Sequence, residues 1–165
     1  MIVCDKENSM NVFISYSQAD NEFACKLSYI LESDGYDVFI DNKIPIGNNI
    51  YKDIGKGIAK ADVVIVIISN NSINSNFVAN ETVSMLSFLD KGRLPLIIPI
   101  VLGKETQLPT ELSRLNCIVI PYENEKSNNP IDNNKYQKSI NKDIEKDAID
   151  KVRLILATHD EKLKV

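Results

Sequence analysis

Two hydrophobic rhythms alternate along the chain. Asn11–Tyr16 (NVFISY) is short and mostly apolar and reads as a strand, and Ser17–Asp20 then supplies polar residues of the kind that start helices. Phe23, Leu27, Ile30 and Leu31 fall at i, i+4, i+7 and i+8, which predicts an amphipathic helix. Asp34-Gly35 stops it, with Gly35 suited to the left-handed position after the last turn. Tyr36–Asp41 (YDVFID) reads as a second strand, followed by a loop over 42–49 punctuated by Pro45 and Gly47. Ile50, Ile54 and Ile58 recur every four residues and predict a short helix ending near Ala61.

Val63–Ile68 (VVIVII) is apolar without alternation, as expected of a central parallel strand covered on both faces. After a serine- and asparagine-rich run, Val78, Thr82, Met85, Leu86 and Leu89 form the inner stripe of another helix, closed by Gly92. Leu96–Leu102 predicts a fourth strand, with a bulge or irregular pairing at Pro99 because proline cannot donate to a ladder. Ile118–Pro121 is a short fifth strand and 123–135 a polar loop. The stripe Ile140, Ile144, Ala148, Val152 and Ile155 or Leu156 then marks a final helix over 136–158.

Strand–helix alternation of this kind implies an α/β fold, a flavodoxin-like three-layer sandwich. Its sheet is five-stranded and parallel, in the order 2-1-3-4-5, with helices on both faces. With no internal repeat, the organisation expected is an N-terminal extension over 1–9 and a single domain over 10–160. The length of 165 residues, 44% of them hydrophobic, is enough for one real core.

Charge changes that picture little. Nineteen basic residues stand against 23 acidic ones, a formal net charge of −4, which argues against nucleic acid as the main partner. Cys4, Cys25 and Cys117 are odd in number and lack metal-ligand spacing, so they read as reduced, partly buried thiols. No cationic-then-apolar leader opens the chain, and no apolar run approaches the ~20 residues of a membrane span. The expectation is a cytoplasmic protein without a membrane partner.

In an open parallel sheet, ligands bind beyond the carboxyl ends of the strands where the strand order reverses. In this order that crevice lies between strands one and three, bordered by Ser15–Asp20 and Ser69–Glu81, with the loop Asp41–Asn49 on one side. If Ser75 caps the helix, Phe77 and Glu81 are i, i+4 neighbours, and a carboxylate beside an aromatic ring at the core's edge is a candidate for chemistry. Position alone leaves a plainer reading open, because helix N-termini favour glutamate and serines often only turn or cap the chain.

Rival sites fail on their motifs. A GxxxxGK[ST] phosphate loop is absent, and Gly55-Lys56-Gly57 lies within a predicted helix rather than just after a strand. A phosphoacceptor aspartate is missing after strand three, where Ser69 stands. The lone His159 is far in sequence from any candidate nucleophile. No metal site is expected.

VFISYSQAD, VFIDNKIPIGNNI, IVIISNNSINSNFVANE and LIIPIVL, in this order and spacing, resemble the TIR (Toll/interleukin receptor) domain family over about Met10–Tyr122. The resemblance is greatest to its bacterial, enzyme-type members. The family pattern Ser-x-Trp-x-x-x-Glu is matched by Ser75–Glu81 with Phe77 in place of tryptophan, which implies that Glu81 is the catalytic residue.

Catalytic TIR domains cleave the nicotinamide–ribose bond of NAD+, and some join the remaining ADP-ribose into a cyclic signal. The resemblance therefore implies an NAD+ glycohydrolase or cyclase with NAD+ as substrate and no cofactor. It also implies substrate contacts from Ser15, Ser17, Gln18, Asp41, Lys43 and Phe77, and a gating and assembly loop around Ile44, Pro45 and Gly47. TIR–TIR self-association, a role in bacterial anti-phage defence and a downstream effector sensing the nucleotide product belong to the same expectation. The alternative is a non-catalytic TIR interaction module, an adaptor or a host-directed effector, favoured by Phe77 and by the lack of arginine after strand one.

Overall fold

The computed structural model describes residues 9–40, 60–70, 95–103, 106, 116–124, 138–140 and 142–163. Five parallel strands form the main sheet: β1 (Asn11–Ser15), β2 (Asp37–Ile40), β3 (Val63–Ser69), β4 (Leu96–Leu102) and β5 (Ile118–Ile120). Their order is β2-β1-β3-β4-β5, so the chain reverses its direction of travel across the sheet between β1 and β3. This is the flavodoxin-like, doubly wound order expected from the sequence.

The pleat divides each strand between two layers. Val12, Ile14, Val63, Ile65, Ile67, Ile98, Ile100, Leu102 and Ile120 face one cluster. Helix α1 (Asn21–Ser33) contributes Phe23, Ala24, Leu27 and Leu31 to it, and helix α2 (Lys142–Leu163) contributes Ala148, Ile149, Val152 and Leu156. The alternate residues Phe13, Val64, Val66, Ile68 and Val101 are buried as well, outside that cluster. Both faces are therefore covered over the central strands, which is why VVIVII shows no polar alternation, while Phe39 of β2 and Val119 of β5 are exposed at the edges.

Two ion pairs set α1 beside α2. Lys26 meets the buried carboxylate of Glu145 at 2.7 Å, and Arg153 grips Asp34 through both Nε and Nη2, at 2.6 and 2.7 Å. Because Asp34 follows Lys26, and Arg153 follows Glu145, by the same eight residues, the helices run side by side in the same direction. At the amino edge of the sheet, Asp62 joins three strands. Its carboxylate accepts the Asn11 backbone N–H at 2.9 Å, its own N–H donates to the Asn11 carbonyl, and its carbonyl accepts from Leu96.

Four local expectations are corrected. Pro99 sits in an unbroken β3–β4 register opposite Val66, with no bulge. The β5 ladder begins at Ile100, one residue later, so a missing donor on that side breaks no bond there. The polar stretch from 123 and the final helix from 136 both begin differently. Tyr122–Asn124 (β6) pairs antiparallel with Lys138–Ile140 (β7), and the helix starts only at Lys142 and runs to Leu163. Ile140 keeps helical spacing with Ile144 yet pairs opposite Tyr122 as a strand residue, because a four-residue interval does not show where extended chain becomes helix. Cys25, expected to be partly buried, is exposed on α1. The thiol of Cys117 is only partly covered, and burial pushes its pKa above the ordinary value. Cys4 and the helices expected near Ile50–Ala61 and Val78–Leu89 fall outside the described residues, save Lys60 and Ala61.

Candidate functional site at the carboxyl edge

The reversal between β1 and β3 opens at their carboxyl ends, where β1 leads into residues 16–20 and β3 ends at Ser69. Tyr16 continues the β1 alternation inward and is buried, and its hydroxyl donates to the Asn21 side chain at 3.0 Å. The chain then turns through a short 3-10 segment, Gln18–Asp20, in which the Asp20 N–H donates to the Ser17 carbonyl at 2.7 Å. This turn lays Ser15 and Ser17 half-buried along the lip and leaves Gln18 exposed.

Beneath that lip is a contact the sequence did not announce. The Ser69 hydroxyl donates to Asp20 Oδ2 at 2.7 Å, and both residues are buried, 2% and 5% exposed. It spans 49 positions of sequence and joins the carboxyl end of β3 to the start of α1. A buried carboxylate is costly unless it accepts hydrogen bonds, and a hydroxyl donor at this length is a strong one. Asp20 stands at the N-cap of α1, yet its side chain makes no capping bond there. Sequence reading assigned it a helix-starting role and Ser69 a turn role. The available signal was an acidic residue and a serine at the two strand ends that this strand order makes neighbours.

Of the residues expected at the site, Ser15, Ser17 and Gln18 lie together at this edge, Ser15 in register with Val66 of β3. Glu81, Phe77, Asp41 and Lys43 lie outside the described residues, as do Ile44, Pro45 and Gly47 of the expected assembly loop. Among the described residues, no cluster of His, Cys, Asp and Glu has the arrangement of a metal site, and no helix is long and apolar enough to cross a membrane.

Comparison with known proteins follows the same lines. The TIR domain model matches residues 12–132. The curated proteins contain no match. Among solved structures, the chain is similar to one described as the structure of the activated Roq1 resistosome directly recognizing the pathogen effector XopQ (TIR domains). That similarity has a TM-score of 0.48 and 27% identity, and covers 56% of this chain and 57% of that one. The chain thus spans little more than half of that relative. The family model takes in all five strands of the sheet and most of the chain, and the protein belongs to the TIR-domain family.

Proposed function

We propose that the protein is a TIR-domain NAD+ glycohydrolase or ADP-ribose cyclase with Glu81 as its catalytic carboxylate. The observation that carries this reading is the match of Ser75–Glu81 to the family's catalytic pattern, in the segment that follows β3 at the switch point of the sheet. Ser15, Ser17 and Gln18, reachable from solvent on the facing lip, supply polar contacts for the nucleotide.

The chemistry suits a site with a single carboxylate. Glycoside hydrolysis ordinarily requires a general acid because the leaving oxygen must be protonated. Nicotinamide needs none, since the C1′–N bond electrons neutralise the pyridinium as it departs. The demand falls on the oxocarbenium-like ribose, whose positive charge an ionised Glu81 stabilises. Water then captures C1′ to give ADP-ribose and a proton, or a nucleophile within the same molecule closes a ring. Activity in self-associated chains, a messenger read by a downstream effector and a place in bacterial anti-phage defence belong to the same proposal.

Nicotinamide release from NAD+, with product analysis, tests it in the wild type and Glu81→Gln at high protein concentration. Release by the wild type and its loss in a folded Glu81→Gln protein is the expected result. Equal rates in the two proteins, or no turnover by the assembled wild type, would overturn it in favour of a non-catalytic interaction module.

A further inference from the structure

We infer that Asp20 is a positioning residue for this reaction: acting through Ser69, it fixes the end of β3 from which the Glu81-bearing segment departs. The role rests on the NAD+ reading above.

Three observations converge on it. An aspartate at an N-cap usually stabilises its own helix, yet Asp20, with φ −101° and ψ 13°, makes no capping bond. Its Oδ2 is instead accepting from the Ser69 hydroxyl. Burial is the second. Both residues are almost fully enclosed, and a buried charged group is a poor device for stability alone, since well-packed apolar residues often serve as well or better. What a short charge-assisted bond adds is geometric definition.

Location is the third. At the opposite edge of the sheet, Asp62 uses its backbone and a part-buried carboxylate to join the strand starts, far from where this fold class binds ligands. The Asp20–Ser69 bond lies at the edge where it does. Tyr16, bonded to Asn21, holds the adjacent turn. Small displacements of reacting groups are expensive in rate, so a fixed departure point for the catalytic segment is worth a buried carboxylate.

Kinetics of Ser69→Ala, Asp20→Ala, Asp20→Asn and the double alanine variant test this, with NAD+ as substrate and well below the melting temperature of each. Ser69→Ala and Asp20→Ala are expected to lower kcat by roughly 10- to 100-fold with KM nearly unchanged. The double variant should lose less than the product of the two single losses, because each substitution removes the same Asp20–Ser69 bond. Asp20→Asn keeps an oxygen that accepts from Ser69 and should restore most of the lost rate. Wild-type kcat in the alanine variants, multiplicative losses in the double variant, or Asp20→Asn as slow as Asp20→Ala would each overturn the role. If the wild type is active and Glu81→Gln is not, such results refute the positioning role alone. An inactive wild type refutes the NAD+ reading and this role with it.

Discussion

Asp20 opens α1 and Asp34 closes it, and each sends its carboxylate to a distant partner rather than to its own helix. At the start, Asp20 accepts from Ser69 in an enclosed setting. At the end, Asp34 meets Arg153 in the open, with the arginine side chain 47% exposed. The charges are the same, but the physics differs. A carboxylate at a helix C-terminus faces the negative end of the dipole, so the guanidinium offsets a local repulsion, and Asp34 in turn raises the Arg153 pKa through a hydrogen bond and its charge. Water and salt screen that pair, whereas burial shields the Asp20–Ser69 bond from both. The open end aligns two helices; the enclosed end borders the site.

The comparison breaks first on stability. Asp20→Ala strips the acceptor from a buried hydroxyl and should cost about 1–3 kcal/mol in denaturant unfolding. A cost indistinguishable from zero would mean that Ser69 finds another acceptor at once. Gly35→Ala comes next. Gly35 follows Asp34 with φ +95°, its N–H bonded to the Glu32 carbonyl, and nothing lies within 4 Å of an added Cβ. Only backbone strain is at stake, so about 1 kcal/mol is expected; a larger loss would reveal a steric cause. Smallest is Asp34→Ala. Its effect on the melting temperature should fall below that of Asp20→Ala and shrink further in 1 M salt, where the screening length is about 3 Å. An effect that matched Asp20→Ala and ignored salt would erase the distinction between the two ends.

Much of the frame was legible because buried parallel strands write themselves as uninterrupted β-branched runs. VVIVII became β3, LIIPIVL became β4, and the Phe23–Leu31 stripe became α1. The Ser15–Gln18 lip followed from the strand order alone. Asp20 was hidden because a polar residue before a helix looks the same whether it caps that helix or reaches across to another strand. Only the β1–β3 pairing, which brings residue 15 beside residue 66, distinguishes the two. Pro99 misled because missing donors matter only where a neighbouring ladder needs them. The β6–β7 pair was invisible since three-residue strands carry too little periodicity to rise above a polar background.

The most direct test of the proposed nucleotide site is an amide NMR titration of the Glu81→Gln protein with NAD+, the substitution keeping the ligand intact. Saturable shifts are expected at Ser15, Ser17, Gln18 and Asp20 and at Ser69, with Asp34, Gly35 and Arg153 at the other end of the helix pair unmoved. Shifts confined to that far end, or none at millimolar NAD+, would contradict a nucleotide site at the carboxyl edge of β1 and β3.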